Sequence, residues 1–100
     1  MATIHTIDTI VSDPLIHGGY PVIAGTNLRV VDVVASHIYR GLSPEELAVN
    51  FALDMGQVHA ALAFYYQHKA EIDQQLRDEA ARADQILGEI ETQKRLIRLE

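Results

Sequence analysis

Residues 3–11 alternate in character from one position to the next, as the two faces of a β-strand do. β-Branched side chains are frequent in this segment, and it contains neither glycine nor proline. Asp13-Pro14 ends the alternation, and a cluster of glycine and proline at residues 17–21 has the composition of a turn. Because a second short extended piece follows at residues 22–24, the pattern predicts a β-hairpin or β-ribbon over roughly the first 30 residues.

The spacing of apolar residues changes to a helical period at Val30. Five residues share one face of this first predicted helix: Val30, Val33, Val34, His37 and Ile38. Gly41, directly after Arg40, is suited to end the helix, because glycine readily adopts the left-handed conformation found after a helix C-terminus.

Ser43-Pro44-Glu45-Glu46 predicts the start of a second helix, with serine as N-cap, proline at the first position and Glu46 completing a capping box. We expect this helix to be short, over about residues 44–50. Asp54 can cap a third helix, whose apolar stripe comprises Val58, Ala61, Leu62 and Tyr65. The pattern leaves open whether the third helix runs without a break into the C-terminal tail.

Apolar residues recur along the tail at steps of three, four or seven: Ile72, Leu76, Ala80, Ala83, Leu87, Ile90 and Ile97. A domain of this size cannot cover the whole seam, so we expect a partner protein or a dimer mate to contact it. The predicted partner-binding residues are Ile72, Leu76, Ala83, Leu87 and Ile90. We therefore divide the chain into a helix-turn-helix-like domain with an N-terminal β element (residues 1–70) and an amphipathic, acidic C-terminal helix (residues 71–100).

Composition narrows the class of protein. The chain has 100 residues, a formal net charge of -6 and no cysteine, which excludes disulfides, a thiolate nucleophile and a cysteine-based zinc site. No stretch approaches the roughly 18 apolar residues that a membrane helix needs, and no signal peptide is recognisable. We expect a cytoplasmic protein that does not contact a membrane.

Helix, tight bend and longer helix follow one another over residues 43–68, which is the order of a helix-turn-helix. In a DNA reader, the first turn of the second helix meets base edges, which places Gln57 and His59 at the groove. Arg29 and Arg40 are the candidate phosphate contacts. The alternative is a purely structural pair of helices, because no lysine or arginine lies between Glu45 and His68.

Three segments carry a resemblance to a known family: residues 13–26, which include the string Gly-Gly-x-Pro-x-Ile-x-Gly-Thr, residues 41–47 and residues 58–65. They resemble the bacterial domain-of-unknown-function family 433 over about residues 7–73. The resemblance implies a homeodomain-like or winged-helix-like three-helix core with a short N-terminal β element and a dimer. It further implies an antitoxin-like role in which the protein binds operator DNA and captures a toxin, often a ribonuclease of the PIN-domain type.

Three positions depart from that family's pattern. Asn27 stands where the family usually has an arginine, which removes a natural phosphate contact, and Arg29 stands where it usually has a proline. Ala52 stands where the family favours a proline, a change that affects mainly the rigidity of the bend.

Other chemistry is less well supported by the sequence. The histidines at positions 5, 17, 37, 59 and 68 show no metal-binding spacing, and no nucleophile is accompanied by a base and an orienting group. We therefore expect no metal, no cofactor and no enzymatic activity. Two hypotheses remain open. The first is an antitoxin-like DNA-binding regulator, dimeric through its N-terminal strands and helices, that captures a toxin with its C-terminal helix. The second is a protein-interaction or dimerisation module whose helix-turn-helix does not bind DNA.

Overall fold

The computed structural model describes residues 1–98 of the chain, with side chains through residue 95. Within them the chain is mainly helical, with a small antiparallel sheet near the N-terminus, as predicted. The elements are β1 (Ile10–Val11), a 3-10 turn (His17–Gly19), β2 (Val22–Ile23), α1 (Val30–Tyr39), α2 (Pro44–Phe51), α3 (Met55–Gln67) and α4 (Lys69–Arg98). The chain divides into two compact units between Lys69 and Ala70.

The strand predicted over residues 3–11 was wrong for most of its length. Only Ile10 and Val11 form a strand, paired with Ile23 and Val22 respectively. The amide of Ala24 also donates to the carbonyl of Thr9, at 2.7 Å. Alternation permits a strand, but backbone hydrogen bonds to a neighbour are needed to form one, and β2 supplies only two residues.

Hydrogen bonds hold together the two turns of the glycine-rich segment, residues 17–28. The Thr26 hydroxyl donates to the carbonyl of Ile23 at 2.7 Å and accepts from the amide of Leu28 at 3.0 Å. Nε2 of His17 lies 2.7 Å from the carbonyl oxygen of Asn27, which ties the 3-10 turn to this second turn. Because Ile23 is fully buried, these bonds hold the start of the core in place. The string that carries the family resemblance therefore has a folding role.

The first helix α1 forms the centre of the core. Val30, Val33 and Val34 are fully buried, whereas Ile38, which shares their predicted face, is 43% exposed. Val31 is buried as well, at 2% exposure. Because α1 packs against both α2 and α3, the buried face at the start of α1 is wider than a single stripe. This buried face ends before the last turn of α1.

Local signals set the end of α1 and the starts of α2 and α3 where the sequence predicted them. Gly41 has a φ of 66° after α1, and the Ser43 hydroxyl accepts from the Glu46 amide while the Glu46 carboxylate accepts from the Ser43 amide. Asp54 makes the corresponding N-cap of α3. The predicted stripe of α3 is buried in full: Val58, Ala61, Leu62 and Tyr65.

The third and fourth helices are separate elements. His68 ends α3 with φ -126° and ψ 36°, and its amide donates to the carbonyls of Phe64 and Tyr65. A new helix, α4, begins at Lys69. Among the described residues, no single helix is long and apolar enough to cross a membrane, and α2 with α3 meets that test only as a pair bent by 116°.

Candidate nucleic-acid and partner interfaces

The bend between α2 and α3 has the dimensions of a helix-turn-helix. Only Ala52, Leu53 and Asp54 separate the two helices, and the helix axes bend by 116°. Ala52 adopts the left-handed conformation, with φ 55° and ψ 47°, and the amide of Leu53 donates to the carbonyl of Ala48 at 2.9 Å. A turn of three or four residues and an angle near 90–120° are typical of helix-turn-helix pairs.

The N-terminal part of α3 carries the two side chains predicted to lie at the DNA groove, Gln57 and His59. His59 is exposed and Gln57 is half-buried. Oε1 of Gln57 accepts from the Asp54 amide at 2.9 Å, and Oδ1 of Asp54 accepts from the Gln57 amide at 2.8 Å. Bidentate recognition of adenine needs both the oxygen and the nitrogen of a glutamine amide. Gln57 would have to release the cap of α3 to read a base in this way.

The two arginines predicted to bind phosphate lie at opposite ends of α1, about 16 Å apart along its axis. Arg29, at the N-cap, makes two hydrogen bonds to Asp32, from Nε at 3.1 Å and from Nη2 at 2.8 Å. The charge of Arg29 is therefore compensated within the chain. Arg40 is the C-cap residue and is exposed. The structure does not bring these two side chains to one site.

Acidic side chains dominate the charge around the bend. Glu45, Glu46 and Asp54 are exposed there, and the sequence has no lysine or arginine between Arg40 and Lys69. The Ser43 backbone amide, followed by its hydroxyl, holds the pKa of Glu46 below its ordinary value of 4.5. Because these three carboxylates are negatively charged and no lysine or arginine lies between them, this face of the chain is unfavourable for phosphate.

The apolar seam of α4 falls into two parts. Ile72 and Leu76 are buried, at 3% and 7% exposure, whereas Leu87 and Ile90 are 60% and 42% exposed. Ala83, between these two parts, is exposed too. The side chain of Ile97 lies outside the described residues. Of the predicted partner-binding residues, Ala83, Leu87 and Ile90 are thus presented to solvent.

Sequence reasoning missed a hollow on the first unit. Seven residues line this hollow of about 280 Å³: Ile7, Ile10, Ala60, Ala63, Phe64, Gln67 and His68. The rings of Phe64 and His68 stack in its wall with their centroids 4.1 Å apart. A signal was present in the spacing of four between Phe64 and His68, since residues so spaced are neighbours on a helix surface.

No group of three or more histidine, cysteine, aspartate or glutamate side chains is arranged to hold a metal ion within the described part of the chain. The structure thus defines a small helical domain with an N-terminal two-stranded sheet and a helix-turn-helix-like bend. The model of the family described as "Protein of unknown function (DUF433)" matches residues 10–65, and the chain belongs to that family. Neither the curated proteins nor the solved structures include a match to the chain.

Proposed function

We propose that this protein is a non-catalytic, cytoplasmic regulator of the antitoxin type, which binds its own operator as a dimer and captures a toxin protein through α4. The observation that carries the proposal is the α2–α3 pair, with its three-residue turn, its 116° bend and the exposed first turn of α3. The N-terminus of such a second helix enters the major groove in helix-turn-helix proteins. In this proposal α3 is the recognition helix, as the second helix is in homeodomain-like or winged-helix-like proteins.

In this proposal Gln57 faces a base edge at the groove, while His59 and Arg40 contact backbone phosphates. Arg29 is less available for phosphate binding than Arg40, because its Nε and Nη2 both donate to the Asp32 carboxylate. Affinity for DNA comes largely from neutralised phosphates. The few cations of one protomer favour a dimer, which doubles them, as the DNA-binding form.

A second candidate function is a protein-interaction or dimerisation module that does not bind DNA. The acidic bend favours it, since Glu45, Glu46 and Asp54 surround the helix end that would approach phosphate. The exposed apolar residues of α4 favour it equally, because a surface of this kind marks a protein contact. In this candidate the bend serves only to hold the core together.

The deciding experiment is a fluorescence-anisotropy titration of a duplex from the protein's own promoter, at about 50 and 200 mM salt. Gln57→Glu keeps an oxygen acceptor for the Asp54 amide, so α3 stays capped while a negative charge enters the groove. Gln67→Glu is the matched control, because it adds the same charge at the other end of α3.

A regulator is expected to bind the promoter duplex more tightly than an unrelated duplex, and more tightly at the lower salt concentration. Gln57→Glu should weaken that binding by about tenfold or more, while Gln67→Glu changes it by no more than about twofold. The absence of binding at either salt concentration would establish the second candidate. Equal losses in the two variants would show that the first turn of α3 does not face the bases.

A further inference from the structure

The exposed part of α4 is an apolar stripe without a covering. Ile86, Leu87 and Ile90 are 46%, 60% and 42% exposed, within a helix whose earlier seam residues Ile72 and Leu76 are buried. Neighbouring exposed side chains of this size on one helix are typical of a contact surface. The residues that surround this stripe indicate what covers it.

The seam has the spacing of a heptad repeat from Leu76 onward. Its positions alternate by four and three residues, so that Ala80 and Leu87 take one core position of the heptad while Ala83 and Ile90 take the other. The small residues come first along the helix and the large residues follow. Two such helices fit best when the large residues of one face the small residues of the other, which requires an antiparallel arrangement.

We propose that α4 pairs antiparallel with α4 of a second copy of this chain, in the register that places Ala83 opposite Leu87 of the partner subunit. The same register places Ala80 opposite Ile90 of the partner subunit. By symmetry, four core layers each combine one alanine with one large aliphatic side chain. The paired segment covers residues 77–93, about 25 Å of helix. This pairing does not depend on DNA binding and goes beyond the proposed function. Because it covers the seam that toxin capture would use, a toxin binds α4 only by displacing the second copy.

The flanks of the seam suit this register. Arg77 comes opposite Glu91 of the partner subunit, and the symmetry of the dimer forms this ion pair twice. On the other flank, Ile86 meets Ile86 of the partner subunit at the two-fold axis and extends the apolar contact. At the solvent-facing edge, Asp84 lies near Asp84 of the partner subunit. This is the one like-charge pair of the arrangement.

Other pairings of the same two helices are less favourable. A parallel pair stacks alanine on alanine, places Lys94 beside Lys94 of the partner subunit, and sets Glu79 against Asp84 of the partner subunit. An antiparallel pair shifted by one heptad toward the N-terminus requires Leu76, which is buried. The opposite shift places Asp84 against Glu91 of the partner subunit. Only the register with Ala83 opposite Leu87 combines layers of unequal size with an attractive flank.

Cysteine cross-linking tests the register directly, because the chain has no cysteine of its own. Ala80→Cys and Ile90→Cys are prepared as full-length chains with different tags, mixed and oxidised. In the proposed register the two positions face each other, within the span of a disulfide. Each position is separated from its own copy by about 15 Å of helix.

We expect the mixture to yield mainly the cross-linked heterodimer, several-fold more than either variant forms alone. A parallel pair would give the reverse result, with each variant cross-linking to itself and little heterodimer. Either that result or the absence of any cross-link would overturn the proposal. The measurement contains no DNA, so its outcome is separate from that of the promoter titration.

Light scattering or sedimentation of the full-length chain supplies the second test. Ile90→Asp places a charge in the core of the pair, and Gln85→Asp places the same residue on the opposite, exposed side of α4. We expect Ile90→Asp to raise the dissociation constant of the dimer by about tenfold or more and Gln85→Asp to leave it within about twofold. A monomeric wild type, whose α4 binds only foreign proteins, would overturn the proposal, as would a dimer unaffected by Ile90→Asp.

Discussion

Ala52 holds the bend between α2 and α3 in a backbone conformation that favours glycine. Its φ of 55° crowds the alanine side chain against the following carbonyl. We expect Ala52→Gly to increase the free energy of unfolding by about 0.5–1 kcal/mol, since relief of that crowding exceeds the greater entropy of glycine in the unfolded chain. Urea denaturation of the purified variant measures the change.

The control is Ala63→Gly, an alanine on the exposed side of α3. There the same substitution should cost about 1 kcal/mol, because glycine is a poor helix former. Ala52→Pro should cost about 3 kcal/mol or more, because proline cannot adopt a positive φ and removes the amide of the helix end. Ala52 in place of the family's usual proline therefore changes the conformation of the bend, and the expectation that it affects mainly rigidity was wrong. Destabilisation by Ala52→Gly would show that the bend does not have this conformation in solution.

The stability that the capping box of α2 contributes depends on pH through Glu46. Its folded-state pKa lies below the ordinary value of 4.5, because it accepts hydrogen bonds from Ser43. A depressed pKa gives stability that is present above the unfolded-state pKa and is lost as the pH falls through the folded-state pKa. We therefore expect the stability difference between wild type and Glu46→Gln to be constant near neutral pH and to shrink as the pH falls below about 4.5.

Denaturation midpoints of both proteins between neutral pH and about pH 3 check this expectation. The control is Glu45→Gln, which removes the same charge from the same turn without touching the hydrogen bonds to Ser43. Glu45→Gln should show the smaller dependence on pH. Identical pH profiles for the two variants would contradict a role for the capping box.

At the scale of elements, Leu47 attaches α2 to the rest of the core. It is the only buried residue of α2, and its side chain is fully enclosed. We expect Leu47→Ala to lower the free energy of unfolding by about 2–5 kcal/mol, because it removes buried apolar area and leaves a cavity between α2 and its neighbours. Chemical denaturation gives the loss, and hydrogen exchange should show α2 opening before α1.

Val49 provides the matched control within the same helix. Its side chain is 84% exposed, so Val49→Ala should change stability by no more than about 0.5 kcal/mol. Similar losses in the two variants would mean that α2 is held by something other than Leu47.

The elements that could be predicted from sequence are those with local signals. Ser43 and Asp54 cap helices through residues three positions away, so the starts of α2 and α3 are legible in the sequence. The length of β1 depends instead on a partner strand more than ten residues later, and alternation over residues 3–11 could not reveal that β2 is short. The exposure of Ile38 likewise depends on where the neighbouring helices end.

In the candidate sites, too, local features were predictable from the sequence and features that depend on tertiary packing were not. The sequence identified Gln57 and Arg29 as polar side chains near a helix-turn-helix, and each has a partner three residues away, at the spacing of a capping box or of a helical ion pair. Gln57 closes the cap of α3, and Arg29 pairs with Asp32. The seam of α4 was predictable from its period. The boundary between its buried and exposed parts was not, because burial depends on tertiary packing.

At the scale of the whole molecule, the proposed α4 pair places Arg77 opposite Glu91 of the partner subunit. Arg77→Glu and Glu91→Arg each convert two attractive pairs into two repulsive pairs. We expect either variant alone to weaken the dimer by about tenfold, a change of about 1.4 kcal/mol shared between two exposed sites. Sedimentation equilibrium at low ionic strength measures the change, because salt screens exposed charges.

The double variant Arg77→Glu with Glu91→Arg restores two attractive pairs with their charges exchanged. Its net charge equals that of the wild type, so a general effect of charge cannot explain a recovery. We expect its dissociation constant to return to within about threefold of the wild-type value at low salt. Additive weakening in the double variant would place these two residues apart in the dimer. In that case the large and small residues of the seam would have to be aligned by a different register.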